Sequence, residues 1–199
     1  MGRTLDAIPA DLAEFMGAQP VFFVATAPLE GRGHVNLSPK GGDAVRLLDG
    51  ATLAYLDLPG SGVETIAHLR QNGRITLMWC AFEGRPRIVR VHGRGEAVVP
   101  ADPRFAELSA RFPTRLGVRC VVRIDVERVS TSCGFGVPVM RLEGERDDLQ
   151  AWAARKGPAG VAAYQHERNA VSIDGLPALA TDQARAESAS ENAARATSS

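Results

Sequence analysis

Hydrophobic and polar positions along this chain alternate in short blocks cut by glycine and proline, the pattern of strands joined by tight turns. Val21-Phe22-Phe23-Val24-Ala25-Thr26 is β-branched and aromatic and predicts a strand. The turn Glu30-Gly31-Arg32-Gly33 leads into a second strand, His34 to Ser38, which closes a hairpin. Further strands are predicted over Thr52 to Leu58, Arg74 to Phe82, Arg87 to Val99 and Gly117 to Val129. Gly93 and Gly95 interrupt the Arg87–Val99 run, which predicts a bend or bulge at a barrel corner. In the last strand Cys120, Val122, Ile124 and Val126 share one face and Val121 takes the other.

Helical spacing is confined to shorter stretches. Leu12, Phe15 and Met16 share a face of a helix over Pro9 to Met16 that Gly17 can end. Val63, Ile66, Ala67 and Leu69 predict a helix closed by Asn72-Gly73. Asp102 followed by Pro103 opens another, which ends near Phe112-Pro113. Gly144 to Lys156 reads as a helix stopped by Gly157-Pro158, with a second helix to Arg168. Asn169 to Leu179 is short and extended, with an Asp174-Gly175 turn.

About six strands with hairpin connections and few helices predict a mainly β (α+β) fold, an antiparallel barrel with peripheral helices. One domain is expected over residues 1–180, with its core in 20–130 and a helical and extended extension in 131–180. Residues 181–199 hold no large apolar side chain, cannot offset their ordering entropy, and are expected to form a disordered tail.

Composition narrows the function classes. Among 199 residues there are 23 basic and 23 acidic side chains, so the net charge is zero, which argues against a nucleic-acid partner. No apolar run approaches the roughly 20 residues that span a bilayer, so no membrane partner is expected. The first ten residues include Asp6 and lack the apolar core of a signal peptide. Cys80, Cys120 and Cys133 are odd in number and widely spaced, which suggests no disulfide framework or zinc site and fits a cytoplasmic protein. His34, His68, His92 and His166 form no His-x-x-x-His pair, so no metal is expected. No Gly-x-Ser-x-Gly elbow is present, and catalytic residues stay unassigned.

The chemistry concentrates between His34 and Trp79. Gly60-Ser61-Gly62 opens a helix, and a small-residue turn at a helix start can hold a phosphate on its free N–H groups. The bland reading is a Pro-Gly loop with Ser61 as helix N-cap. Lys40 stands in a Pro39-Lys40-Gly41-Gly42 turn, as an anion contact or as a solvated lysine. Arg85, Arg87, Arg90 and Arg94 recur along one hairpin, as an anion site or a solvated face. Cys133-Gly134-Phe135-Gly136 is a reactive thiol loop or a glycine-rich closing turn.

A Lys-ended strand, a Tyr-bearing strand, a Gly-Ser turn, a helix and then Asn72-Gly73-Arg74-Ile75-Thr76-Leu77 come in an order that resembles the pyridoxamine 5'-phosphate oxidase-like flavoproteins, over roughly residues 21–129. The resemblance implies an FMN-binding split β-barrel and a homodimer with FMN at the subunit interface. It implies that Asn36, Ser38 and Lys40 line the flavin, that Tyr55 lies on the next strand, that Ser61 and Gly62 form the phosphate turn, and that Thr65 adds a hydroxyl. Tyr55 and Trp79 can stack near a flavin or fill the core, and His92 can face a pocket. Gly62-Val63 stands where the oxidases carry an Arg-Lys pair. That removes two contacts worth about 1.5–3 kcal/mol each, with Lys40, Arg87 and Arg90 as candidates to replace them. Nothing after Gly144 matches the oxidases' Arg-Leu-x-Pro-type segment, so pyridoxamine 5'-phosphate is not the expected substrate. The expected function is an FMN-dependent oxidoreductase with a small-molecule substrate. The alternatives are a non-catalytic flavin- or haem-binding protein on the same barrel and a cofactor-free structural dimer.

Overall fold

The structure, a computed structural model, describes residues 2–179. The expected tail over 181–199 lies outside the described residues. In chain order the elements are β1 (Thr4–Leu5), α1 (Ala10–Gly17), β2 (Phe22–Thr26), β3 (Asn36–Lys40), β4 (Val45–Asp49), β5 (Thr52–Asp57) and α2 (Glu64–Asn72). There follow β6 (Arg74–Cys80), β7 (Ile88–Val98), α3 (Phe105–Ser109), β8 (Cys120–Ser132) and α4 (Asp148–Arg168).

The strands form one antiparallel sheet in the order β3-β2-β6-β7-β8-β5-β4, with β1 added on β8. This is the antiparallel arrangement with peripheral helices that the strand pattern predicts, in the split-barrel form that the family resemblance implies. Two strands were not read from the sequence. β1 is only two residues long, and β4 is a half-buried edge strand whose Val45-Arg46-Leu47-Leu48-Asp49 run lacks clean alternation. β8 also continues to Ser132, past the predicted end at Val129, because β7 offers ladder partners as far as Ile88↔Ser132.

The long pair β7–β8 is bent where the glycines stand. Its register shifts between His92 and Gly93, and any side chain at Gly93 would collide with the Asp125 carbonyl oxygen. The two faces of β8 separate two clusters. Cys120, Val122 and Ile124 join Leu53, Tyr55, Leu77 and Trp79 in the main core. Val121 packs with Ala54, Leu56, Val98 and Phe112 on the other side.

α2 lies against β2, β6 and β7 and buries Ile66, Ala67 and Leu69. It ends at Gly73, whose left-handed φ of 69° lets its N–H reach the Leu69 carbonyl. α4 is broken at Gly157 (φ 67°, ψ 171°), the stop that Gly157-Pro158 predicts.

Candidate functional site

β3, the end of β5, the turn into α2, the approach to β8 and residues 144–150 enclose a cleft of about 830 Å³. β3 supplies three side chains by simple alternation. Asn36, Ser38 and Lys40 are half-buried and line the cleft, while Leu37 and Pro39 face out. Ser61, Gly62 and Thr65 also line it, so six of the seven residues the sequence singles out meet there.

Tyr55 is the seventh and does not line the cleft. It is fully buried in the main core, edge-on to Phe22 with ring centroids 5.7 Å apart. Burial, with Asp57 nearby, pushes its phenol well above the ordinary range. The Thr65 side chain favours its ionised form but does not meet hydrogen-bond geometry with it. Trp79 is buried as well, stacked on Phe22 at 5.4 Å.

The floor of the cleft is charged. Asp57 is fully buried and holds two cations: Lys40 Nζ reaches Oδ1 at 3.1 Å and Arg119 Nε reaches Oδ2 at 2.9 Å. Burial opposes ionisation of Asp57, but Arg119 and then Lys40 outweigh it and hold its carboxyl below the usual range. For Arg119 burial again works against the charge, and Asp57 more than offsets it, raising its pKa. Arg119 Nη1 also donates to the Gly62 carbonyl at 2.6 Å, tying the guanidinium to the Gly-Ser-Gly turn. Lys40 is therefore not a solvated lysine; its side chain is only 19% exposed.

The turn differs from the N-cap reading. Ser61 is exposed, α2 begins at Glu64 with Val63 in the N-cap position, and no side chain caps it. The Glu64 carboxylate folds back over Gly62, where any Cβ would collide with it, and accepts a hydrogen bond from Ile173 N–H at 3.3 Å. The C-terminal segment holds the same turn from behind: Asn169 Nδ2 donates to the Gly60 carbonyl at 3.0 Å. His34 Nδ1 and Asp174 Oδ1 add a hydrogen bond at 2.6 Å, which with the backbone N–H of His34 lowers the Asp174 carboxyl pKa.

A buried polar chain fixes Asn36. Its amide Nδ2 donates to Thr65 Oγ1 at 3.0 Å and to Thr26 Oγ1 at 3.1 Å. The Thr26 hydroxyl hydrogen is then free to go to His68 Nδ1, 3.0 Å away. Burial pushes the His68 pKa down, against the opposing effects of Glu64, Asp174 and the Thr26 backbone. Both amide hydrogens of Asn36 are spent, which leaves Oδ1 as an acceptor. Ser38 Oγ is buried and meets no partner among the described residues.

Arg87 and Arg90 do not reach this cleft. Arg87 lies over the Phe15 ring at 5.3 Å and Arg90 donates to Ser132. Arg115 and Arg119 stand there instead. Asp57 and Arg119 were missed in the sequence, although a lone carboxylate ending the apolar run Leu53-Ala54-Tyr55-Leu56 is a signal of a buried ion pair. His92 faces a separate, smaller depression and bonds Thr76 at 3.0 Å. Among the described residues no three His, Cys, Asp or Glu side chains converge as metal ligands, and no helix is long and apolar enough to cross a membrane.

Residues 8–133 match the family model described as pyridoxamine 5'-phosphate oxidase. A curated relative, the pyridoxamine 5'-phosphate oxidase family protein ustO of Aspergillus flavus, is 37% identical over 191 aligned residues, covering 87% of this chain and 76% of its own. Among solved structures, HupZ of Group A Streptococcus is 23% identical with a TM-score of 0.47, covering 61% of this chain and 91% of its own. A FAD-binding protein of Mesorhizobium loti is 21% identical with a TM-score of 0.44, covering 66% of this chain and 96% of its own.

Proposed function

The chain belongs to the pyridoxamine 5'-phosphate oxidase family, and from that premise we propose that it binds FMN in the β3–α2 cleft and works as a flavin-dependent oxidoreductase on a small molecule. The observation that carries this reading is the cleft floor, where two cations share one buried carboxylate beside a buried hydroxyl, Ser38 Oγ, that has no protein partner. The surplus positive charge suits a phosphate, and the orphaned hydroxyl suits a polar ring edge. The cleft volume also falls in the range of about 300–1,000 Å³ usual for cofactor sites.

A bound flavin supplies the hydride chemistry, and the protein binds and orients it. Asn36 offers a fixed acceptor, Ser38 a hydroxyl, and Lys40 and Arg119 positive charge. Thr65 holds Asn36 in place rather than reaching outward. The substrate in this reading is other than pyridoxamine 5'-phosphate, since no Arg-Leu-x-Pro-type segment follows Gly144. A flavin carrier without turnover is the second reading, favoured by the Glu64 carboxylate at the turn.

Titration of the purified protein with FMN, followed by quenching of flavin fluorescence, tests the reading. Saturable quenching is expected, and its absence in excess FMN sinks the proposal. Ser38→Ala should leave urea stability within about 0.5 kcal/mol, because the hydroxyl gives up no protein hydrogen bond. The same change should weaken FMN binding roughly 2- to 10-fold.

A homodimer is part of the proposal. Val35 and Leu37 lie exposed at edge strand β3, and Phe135, Val139, Met140 and Leu142 lie exposed after β8. These exposed apolar side chains are the candidates for an association surface. Sedimentation should give a dimer, and Leu37→Asp with Val139→Asp should shift it to monomer; a monomeric wild type contradicts the assignment. A reducing compartment such as the cytoplasm is proposed from the three cysteines, all free thiols.

A further inference from the structure

Resting on the flavin reading above, we infer that the cofactor's phosphate is gripped by Arg119, the residue before β8, braced by Asp57, in place of cations on the turn itself. The turn Pro59-Gly60-Ser61-Gly62-Val63 carries no charge, and the first charged residue after it is acidic. The Glu64 carboxylate covers Gly62, so an anion seated on the turn's N–H groups would meet a negative charge with no local cation to offset it.

Arg119 supplies that cation from beneath. Nε is bonded to Asp57 and Nη1 to the Gly62 carbonyl at 2.6 Å, two bonds that fix the plane of the guanidinium under the turn. The residue is only 6% exposed, yet it lines the cleft. A charge so desolvated acts more strongly on a nearby anion than a surface arginine does. The charge count points the same way. Within the buried triad Asp57 balances only one of the two cations it holds, Lys40 and Arg119, so the cleft floor itself is positive. Burying an excess cation is costly without a partner. The ligand class is a phosphomonoester attached to a flavin, and the signature is preference for FMN over riboflavin.

The test compares FMN and riboflavin affinities, by fluorescence quenching, in wild type and in the double variant Asp57→Asn/Arg119→Gln. The double change removes the charges of Asp57 and Arg119 together, so neither is left buried opposite a neutral partner. Wild type should bind FMN at least about tenfold tighter than riboflavin. The double variant should lose roughly 10- to 100-fold in FMN affinity, with riboflavin changed less than about threefold. Should the double variant fail to fold, Arg119→Lys takes its place. It keeps the charge opposite Asp57, loses the fork to Gly62, and should narrow the FMN preference several-fold. Arg87→Ala, outside the cleft, should leave that preference intact. A preference that survives the Arg119 changes, or that vanishes with Arg87→Ala, overturns the inference while the flavin reading stands. Equal wild-type affinity for the two flavins does the same. A wild type that binds neither flavin overturns the flavin reading itself.

Discussion

Arg119→Ala should destabilise the protein at neutral pH by about 3–5 kcal/mol, the usual penalty for stranding a buried charge. Asp57 has no exposed surface, and in the wild type Arg119 satisfies Oδ2 while Lys40 satisfies Oδ1. The truncation leaves Lys40 alone, so the lower end of that range is expected. The lost Nη1 bond to Gly62 loosens the turn as well. The pH dependence follows from the direction of the Asp57 shift. Burial opposes its ionisation and the two cations overcome it, so the folded carboxyl titrates below the unfolded one. Its stabilisation is complete above the unfolded carboxylate pKa and is lost as pH falls through the folded value. In Arg119→Ala the burial remains and the larger of the two favourable charges is gone, so the carboxyl pKa rises. The gap between variant and wild type should then shrink as pH falls through that raised value. Urea denaturation at neutral and mildly acidic pH measures this. A variant as stable as wild type at neutral pH, or a gap independent of pH, contradicts the buried triad.

Trp79→Ala should cost about 3–5 kcal/mol, as large aromatic truncations in packed cores do. Trp79 is fully buried in β6, stacks on Phe22 at 5.4 Å, and shares that ring with Tyr55. Three rings from β2, β5 and β6 thus tie the β3 side of the sheet to its far side. Removing the largest opens a cavity that the neighbouring strands, fixed by ladder bonds, cannot close. Trp79→Phe should cost less, because it keeps a ring against Phe22 and removes an indole N–H that has no partner among the described residues. Thermal or urea unfolding of the two variants checks this. If Trp79→Ala left stability unchanged and abolished flavin binding, Trp79 would be a cofactor contact and not a core residue.

That contrast shows where the sequence was informative. An aromatic in a strand reads equally as core or as stacking surface, and only the packing around Trp79 and Tyr55 decides. β5 is buried on both faces, so its six residues show no alternation from which a face could be read. β3 was the opposite case. Its polar 36, 38 and 40 positions alternate with Leu37 and Pro39, and the family resemblance set that polar face toward the site. The bend at Gly93 was equally legible, because a glycine inside a long β-branched run calls for a close backbone approach.

The charged floor was not legible for a different reason. Asp57 and Arg119 are 62 positions apart and meet because β5 and β8 pair in a register that sets Asp57 opposite Cys120. Nothing local in either segment specifies that register. The C-terminal clasp on the turn spans longer distances still, with Asn169 reaching Gly60 across 109 positions. Local pattern therefore predicted the strand that lines the cleft, and tertiary pairing supplied its charge.

The central claim is that this cleft holds a flavin. The most direct measurement is the absorbance spectrum of the protein as purified, repeated after FMN is added in excess and the unbound FMN is removed. The account predicts the two flavin bands in the near-ultraviolet and blue, retained with the protein at close to one FMN per chain. A spectrum with no flavin bands after reconstitution, or a Soret band that persists in their place, would contradict it.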